Sequence, residues 1–365
     1  MKQIRLIILF TLLTQWSVAQ VIYTADNNPG AIGGPLTLTG PTALTDAIAA
    51  AAAGDIIHVV RSSADYGAIT VDKQLTIYGI GLNPDTDGGE RSIVSNVNIT
   101  DPMATGTRIS GLNITTQISL GGVAGALNNL LIENSRIRWI LHLNPITTLS
   151  NVIIRNNVIG SGYTGNEEEI DLLAGAISNI IIANNVIYTT FGGNQGTIRA
   201  SNGTSVENNL FIGNGNASVY AFENFNGNSV KNNIFFGLQG IGFGGFANNT
   251  FENNLSFNTG NATTDTFSTT NGNISINNIE SQDPLFANVP AAFSIDYSTF
   301  DPTLNTVTPS PAIGTGEGGT DMGVFGGGSP MSLEGTLIPT IQSLTFPTIV
   351  VKGDDLPVQI KAKGN

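Results

Sequence analysis

Few residues in this 365-residue chain have the makings of chemistry, and most of them lie between positions 139 and 223. Glu167, Glu168, Glu169 and Asp171 place four carboxylates within five positions, hard oxygen ligands of the kind that hold calcium. Arg199 can act as a base or as a fixed cation that stabilises a developing anion. Trp139, His142, Tyr220 and Glu223 add rings and hydrogen-bonding groups able to hold a ligand. Each has a plainer reading as well. The Glu167 run reads as a solvated loop, and Arg199 with Asp171 as a surface ion pair worth little to stability. Asp85, Asp87 and Glu90 in GLNPDTDGGE lack the remainder of an EF-hand pattern and read as a loop. His58 reads as a packed or surface histidine, and no Ser-His-Asp order, zinc spacing or phosphate-binding glycine loop stands out.

A common surface for these side chains requires a scaffold, and the sequence supplies one as a repeat. The stretch LSNVIIRNNVIG, residues 149–160, alternates like a buried strand yet is broken by two asparagines, which strands disfavour. The phrase recurs as LLIENSRI from Leu130, IIIANNVI from Ile180, TSVENNLF from Thr204, NSVKNNIF from Asn228, NTFENNLS from Asn249 and ISINNI from Ile274. The first asparagines are Asn134, Asn156, Asn184, Asn208, Asn232, Asn253 and Asn277, in steps of 22, 28, 24, 24, 21 and 24 residues. Gly111 extends the series backward, and Gly79 precedes it by a longer step. Short apolar strands at such a period, without helical patterning between them, predict a solenoid in which each repeat is one coil. Leucine-rich repeats need a consensus absent from this chain, and propeller blades need a longer repeat.

Each asparagine pair is expected at a sharp corner between strands, where one residue takes the left-handed conformation that Asn tolerates and Gly adopts freely. Coils stack at about 4.8 Å, so equivalent asparagines are expected to bond to one another in a ladder.

These NNVI-type corners, together with LTDAIAAAAAGDIIHVV from Leu44, DPLF from Asp283 and SPAIGTGEGGTDMGVFGG from Ser310, resemble the right-handed parallel β-helix superfamily. That superfamily is typified by pectate lyases and by many secreted bacterial β-helix repeat proteins, and the resemblance spans roughly residues 40–327. It implies an all-β right-handed solenoid at residues 20–330 with ten or eleven coils, a capping helix near 42–53, and a small C-terminal β extension at 331–365. It also implies an exposed sheet face used for glycan binding. RWILHL from Arg138, EIDLLA from Glu169, TIRAS from Thr197, VYAFENF from Val219 and GIGFGG from Gly240 align on that face. With Trp139, Leu141, Ile170, Leu172, Ile198 and Val219 turned inward, period-two alternation sends His142, Asp171, Arg199 and Tyr220 outward on neighbouring coils.

Two functions remain open on this reading. One is non-catalytic: a secreted or cell-surface module that binds extracellular polysaccharide, or serves a structural or adhesive role, with Trp139, His142, Tyr220 and Glu223 holding the ligand. The other is a calcium-dependent polysaccharide lyase or glycoside hydrolase, with Arg199 and Asp171 catalytic and Ca2+ on Glu167, Glu168, Glu169 and Asp171. The sequence departs from the family's catalytic motifs. The only Asp-Asp is Asp354-Asp355 in the tail, and neither His58 nor His142 is flanked by glycines.

Composition agrees with an exported β protein. Only 11% of residues are charged while 44 are glycine, which suits many turns and few long charged helices. Lys2 and Arg5, the apolar run Leu6 to Leu13, and Ser17-Val18-Ala19 give the order of a secretory signal peptide over residues 1–19. Removing it lowers the basic count from 14 to 12 against 27 acids, a net charge of −15. Such a charge repels phosphate backbones and argues against nucleic acid as a partner. No later apolar stretch is long enough for a transmembrane segment. With no cysteine, stability must come from core packing and hydrogen bonds.

Overall fold

The structure, a computed structural model, describes residues 20–82, 91–144, 147–160, 168–189, 195–213, 219–257, 266–289, 300–332, 340–345 and 359–363. The expected signal peptide, Glu167 and the loop holding Asp85, Asp87 and Glu90 lie outside them. The chain is nearly all β, a right-handed parallel β-helix with a single α-helix among the described residues. Its first sheet stacks in parallel the strands Ile22–Asp26, Ile56–Val59, Thr76–Tyr78, Arg108–Ser110, Leu131–Glu133, Thr147–Arg155, Ile177–Ala183, Thr204–Glu207, Ser229–Lys231, Thr250–Glu252 and Ile274–Ile276.

A second sheet bends into two faces, because Ile93–Ile99, Asn113–Gly121 and Arg136–Leu143 each run through both. Its first half, the second face of the coil, continues through Val158–Ile159, Val186–Tyr188, Leu210–Ile212, Ile234–Phe236 and Leu255–Phe257. Its other half, the third face, continues through Ile170–Asp171, Gln195–Arg199, Val219–Glu223 and Gly240–Phe243. The expected ten or eleven coils hold only for the first sheet. The solenoid has about eight turns.

Side chains stack inward in columns. Ile132, Ile154, Ile182, Val206, Val230 and Phe251 line up from the first sheet with no solvent exposure. Phe211, Phe222 and Phe235 replace the isoleucines of earlier coils on the other faces, with Phe211 and Phe235 stacked at 4.7 Å. Each such side chain contributes about 1.5–3 kcal/mol by leaving water.

The corners are as expected: Asn134, Asn156, Asn184, Asn208, Asn232, Asn253 and Asn277 all have φ between 50° and 58°. The ladder, however, belongs to the second asparagine of each pair. The backbone N–H and Nδ2 of Asn157 both donate to Oδ1 of Asn185, at 2.9 and 3.0 Å. Asn185 does the same to Asn209, Asn209 to Asn233, Asn233 to Asn254 and Asn254 to Asn278. The reason is directional: the left-handed first residue turns its amide out of the coil, and the next residue turns inward. A second left-handed corner precedes it by five residues, at Asn129, Asn151, Asn179, Gly203, Gly227, Asn248 and Gly272.

The first asparagines serve a different end. Asn184 Nδ2 donates to the carbonyls of Val324 and Gly326, Asn208 Nδ2 to that of Asp321, and Asn253 Nδ2 to that of Thr315, while Asn232 Oδ1 accepts from Glu317 N–H. The closing segment, residues 300–332, is thereby strapped along the corner by its glycine-rich part. Its Phe300, Leu304, Ala312, Met322, Val324 and Met331 pack on the outer side of the second face, over Val186, Leu210, Ile212, Ile234 and Phe236. Over these coils that face is therefore buried on both sides, which explains the unbroken apolar runs Val186-Ile187-Tyr188, Leu210-Phe211-Ile212 and Ile234-Phe235-Phe236. Gly326 lies so close to the Asp321 carbonyl that a Cβ would fall 1.8 Å from its oxygen.

The helix Ala43–Ala50, within the span expected, buries Ala43, Leu44, Ala47 and Ile48 over the first coil. Lys73 Nζ donates to the carbonyls of Ile48 and Ala51 at its C-terminal end, where a cation complements the helix dipole. Phe267 closes the far end against Phe235 and Phe251. In the C-terminal extension, Thr340–Thr345 and Gln359–Lys363 pair antiparallel. No helix among the described residues is long and apolar enough to cross a membrane.

Candidate functional site

The third face carries most of the residues singled out from sequence, but not all in the expected direction. Between Asn113–Gly121 and Arg136–Leu143 the register shifts: Ile137 pairs with Ile114, while Trp139 pairs with Gln117. The extra residue lies in Asn113–Gly121 and is a β-bulge there. In Arg136–Leu143 the buried Ile137 and Ile140 stand three apart, as Val94 and Val97 do in Ile93–Ile99, so the alternation inverts where these strands turn from the second face to the third. Ile140 therefore turns inward, with no solvent exposure. His142, expected on the outer surface, is only 5% exposed, and its Nδ1 lies 3.5 Å from the Leu172 carbonyl oxygen. Trp139 and Leu141, expected in the core, are half-buried on the outer side. Trp139 Nε1 donates to Gln117 Oε1 at 2.9 Å, and the Arg138 guanidinium sits 4.1 Å from the centre of the indole. Ile170, Leu172, Ile198 and Val219 are buried as expected.

The expected neighbours Asp171 and Arg199 do stand side by side, but Tyr220, expected next in that column, is in register with Gly196 and leaves the place beside Arg199 to Glu223. Leu141, Asp171 and Arg199 lie in one column across adjacent strands. Glu223 stands on the next strand, one residue beyond the Ile198 partner Phe222, and is in register with Phe243. Arg199 Nη1 is 2.9 Å from Glu168 Oε1 and 3.4 Å from Asp171 Oδ2. Asp171 Oδ1 accepts the Leu173 N–H, and Glu223 Oε2 accepts the N–H of Gly196 at 3.3 Å. Gly196 has no space for a side chain, since a Cβ there would come within 2.2 Å of the Glu223 nitrogen.

Tyr220 is flanked in register by Gly196 and Gly240. With no side chain on either neighbour its ring lies against Phe243, centroids 5.0 Å apart and 24° from parallel. Phe243 itself is 37% exposed. Trp139, the Arg199 cluster and the Tyr220–Phe243 pair thus occupy five consecutive strands of one face, about 19 Å at the stacking distance.

The acids are perturbed by their surroundings. Burial raises the Glu168 carboxyl above its ordinary range; its own backbone N–H and Arg199 oppose the shift, while Asp171 and Glu223 reinforce it. Glu169 is pushed up to about 8 by burial of its carboxyl, although the residue as a whole keeps some contact with solvent; a hydrogen bond with the Thr189 side chain opposes the shift. Glu168 and Asp171 face Arg199, and Glu169 faces Thr189. Among the described residues no three Asp, Glu, His or Cys side chains are grouped to hold a metal ion.

Two partners escaped sequence reasoning. Glu168 emerges as the close ion-pair partner of Arg199, and Phe243 as the stacking partner of Tyr220. Phe243 had a legible signal, being the one ring in GIGFGG on an aligned strand. Elsewhere, a groove of about 580 Å³ runs between the closing segment and the first sheet, lined by Ile153, Ile181, Arg155 and Lys231 among others. Its cations are paired within the protein, Lys231 with Glu317 and Arg155 with Glu133.

No family model matches the chain, and no curated protein matches it. Among solved structures it is similar to pectate lyase Pel9A, with 12% identity, 84% of this chain and 96% of that chain covered, and a TM-score of 0.33. So loose a likeness assigns no residue a role.

Proposed function

We propose that this chain is an exported β-helix protein that binds extracellular polysaccharide, or a glycan-bearing component of a cell surface, along its third face. The observation that carries the reading is the exposed Phe243 ring stacked on Tyr220 beside the polar cluster of Arg199, Glu168, Asp171 and Glu223. Aromatic faces with adjoining polar groups suit a ligand that is apolar on one side and hydroxylated on the other. The long, shallow strip suits a polymer better than a small molecule. Export is supported by the basic, apolar, small-residue order of residues 1–19.

Catalysis finds less support. A base at Arg199 would have to give up its charge, and that guanidinium is committed to two carboxylates. Affinity electrophoresis in gels cast with soluble polysaccharides tests the reading. Retardation of the native protein in at least one gel, reduced by Tyr220→Ala or Phe243→Ala, is expected; unchanged mobility in every gel would remove the proposal. Incubation with pectate and alginate in the presence of calcium is expected to release no unsaturated product.

A further inference from the structure

We infer that the glycan held by the third face is uncharged, packing its rings on Phe243 and Tyr220 while its hydroxyls donate to Glu223 and Asp171, and that polyuronates are refused. This rests on the binding reading above and adds to it the charge of the ligand.

The charge preference depends on which groups stand beside the rings with capacity to spare. Three carboxylates stand on the strip, at Glu168, Asp171 and Glu223, against two guanidiniums, Arg138 and Arg199, while the Glu169 carboxyl is buried towards Thr189. Arg199 is 26% exposed and held between Glu168 and Asp171. Arg138 lies over the indole of Trp139, at the opposite end from Phe243. The charged group in register with Phe243 is therefore an acid, Glu223.

Glu223 accepts one backbone N–H from Gly196 and one amide from Asn224, both at 3.3 Å. A carboxylate has about four lone-pair sites, so acceptor capacity remains for sugar hydroxyls. A uronate carboxylate in the same place would bring acceptor against acceptor and like charge against like charge. The protein's net charge of −13 adds repulsion at longer range, which salt screens beyond about 8 Å. A bridging divalent cation would have to draw Asp171 and Glu168 away from Arg199.

Titration calorimetry of the full chain with cellohexaose, xylohexaose, mannohexaose and hexagalacturonate tests the inference. At least one neutral hexasaccharide is expected to bind, and Phe243→Ala to weaken that binding about tenfold, as loss of one stacked ring implies. Hexagalacturonate is expected not to bind, with or without calcium, and Glu223→Lys to create measurable binding of it. Should Phe243→Ala unfold, judged by circular dichroism, Tyr220→Ala takes its place.

Hexagalacturonate bound by the native chain as tightly as any neutral hexasaccharide, and released by Phe243→Ala, would overturn the charge inference while leaving the binding face intact. If no hexasaccharide bound at all, the binding reading would fall and this inference with it.

Discussion

At the residue scale the two asparagines of each corner have separate duties, and substitution should part them. Asn209 Oδ1 accepts from both the N–H and Nδ2 of Asn185, deep in the coil. Asn209→Ala strands both donors without water, and buried unsatisfied groups cost about 1–3 kcal/mol each. A loss of about 3 kcal/mol in urea unfolding is expected from those two donors. Asn156 has φ of 55°, and its Oδ1 has no hydrogen-bond partner. Asn156→Gly keeps the one property the position needs, so its unfolding midpoint should move by the equivalent of less than about 1 kcal/mol. Equal effects at the two sites would contradict this division of labour.

Glu169 gives a pH signature at the same scale. The folded chain keeps its proton up to about pH 8, whereas an ordinary glutamate loses it near 4.5. Between those limits the folded state binds more protons than the unfolded one, so stability falls as pH rises through the window and levels off above it. Glu169→Gln removes this contribution. Its urea midpoint is expected to exceed that of the native chain above the window and to show a shallower decline across it.

At the element scale the closing segment stands apart from the coils it covers. It is joined to them by the amides of Asn184, Asn208, Asn232 and Asn253 and by apolar side chains such as Met322 and Val324. Met322 is 1% exposed, and truncating a buried methionine costs about 2–5 kcal/mol. Solenoid coils interact mainly with their neighbours, so Met322→Ala should loosen the cover while sparing the sheets. Hydrogen exchange is expected to quicken across residues 310–327 and to stay slow in the first sheet. Uniform quickening would mean that cover and coils unfold together.

At the scale of the whole molecule the solenoid must hide two apolar ends, since an open rung invites another chain to pair with it. Leu44 of the capping helix is fully buried against the first coil, and Leu44→Asp places an unpaired charge there. Light scattering is then expected to report soluble aggregates of the variant and none of the native chain. A monodisperse Leu44→Asp protein would show that the helix is dispensable as a cap.

The sequence by itself determined the repeat, the left-handed corners and the inward columns, because a left-handed φ and a period of two are set within a few neighbouring residues. It carried the second corner too, in the Asn or Gly five residues before each Asn pair. It also placed Asp171 and Arg199 side by side, on short strands that lie within the third face alone. Only the tertiary structure decided that Trp139 faces out and His142 in, because that parity depends on where the strand turns from the second face to the third. Contact with distant chain likewise decided that the second asparagine builds the ladder, that residues 300–332 cover the second face, and that Phe243 completes the ring pair with Tyr220. Those outcomes turn on which segments meet across a coil or more of chain, and local preference carries no record of such meetings.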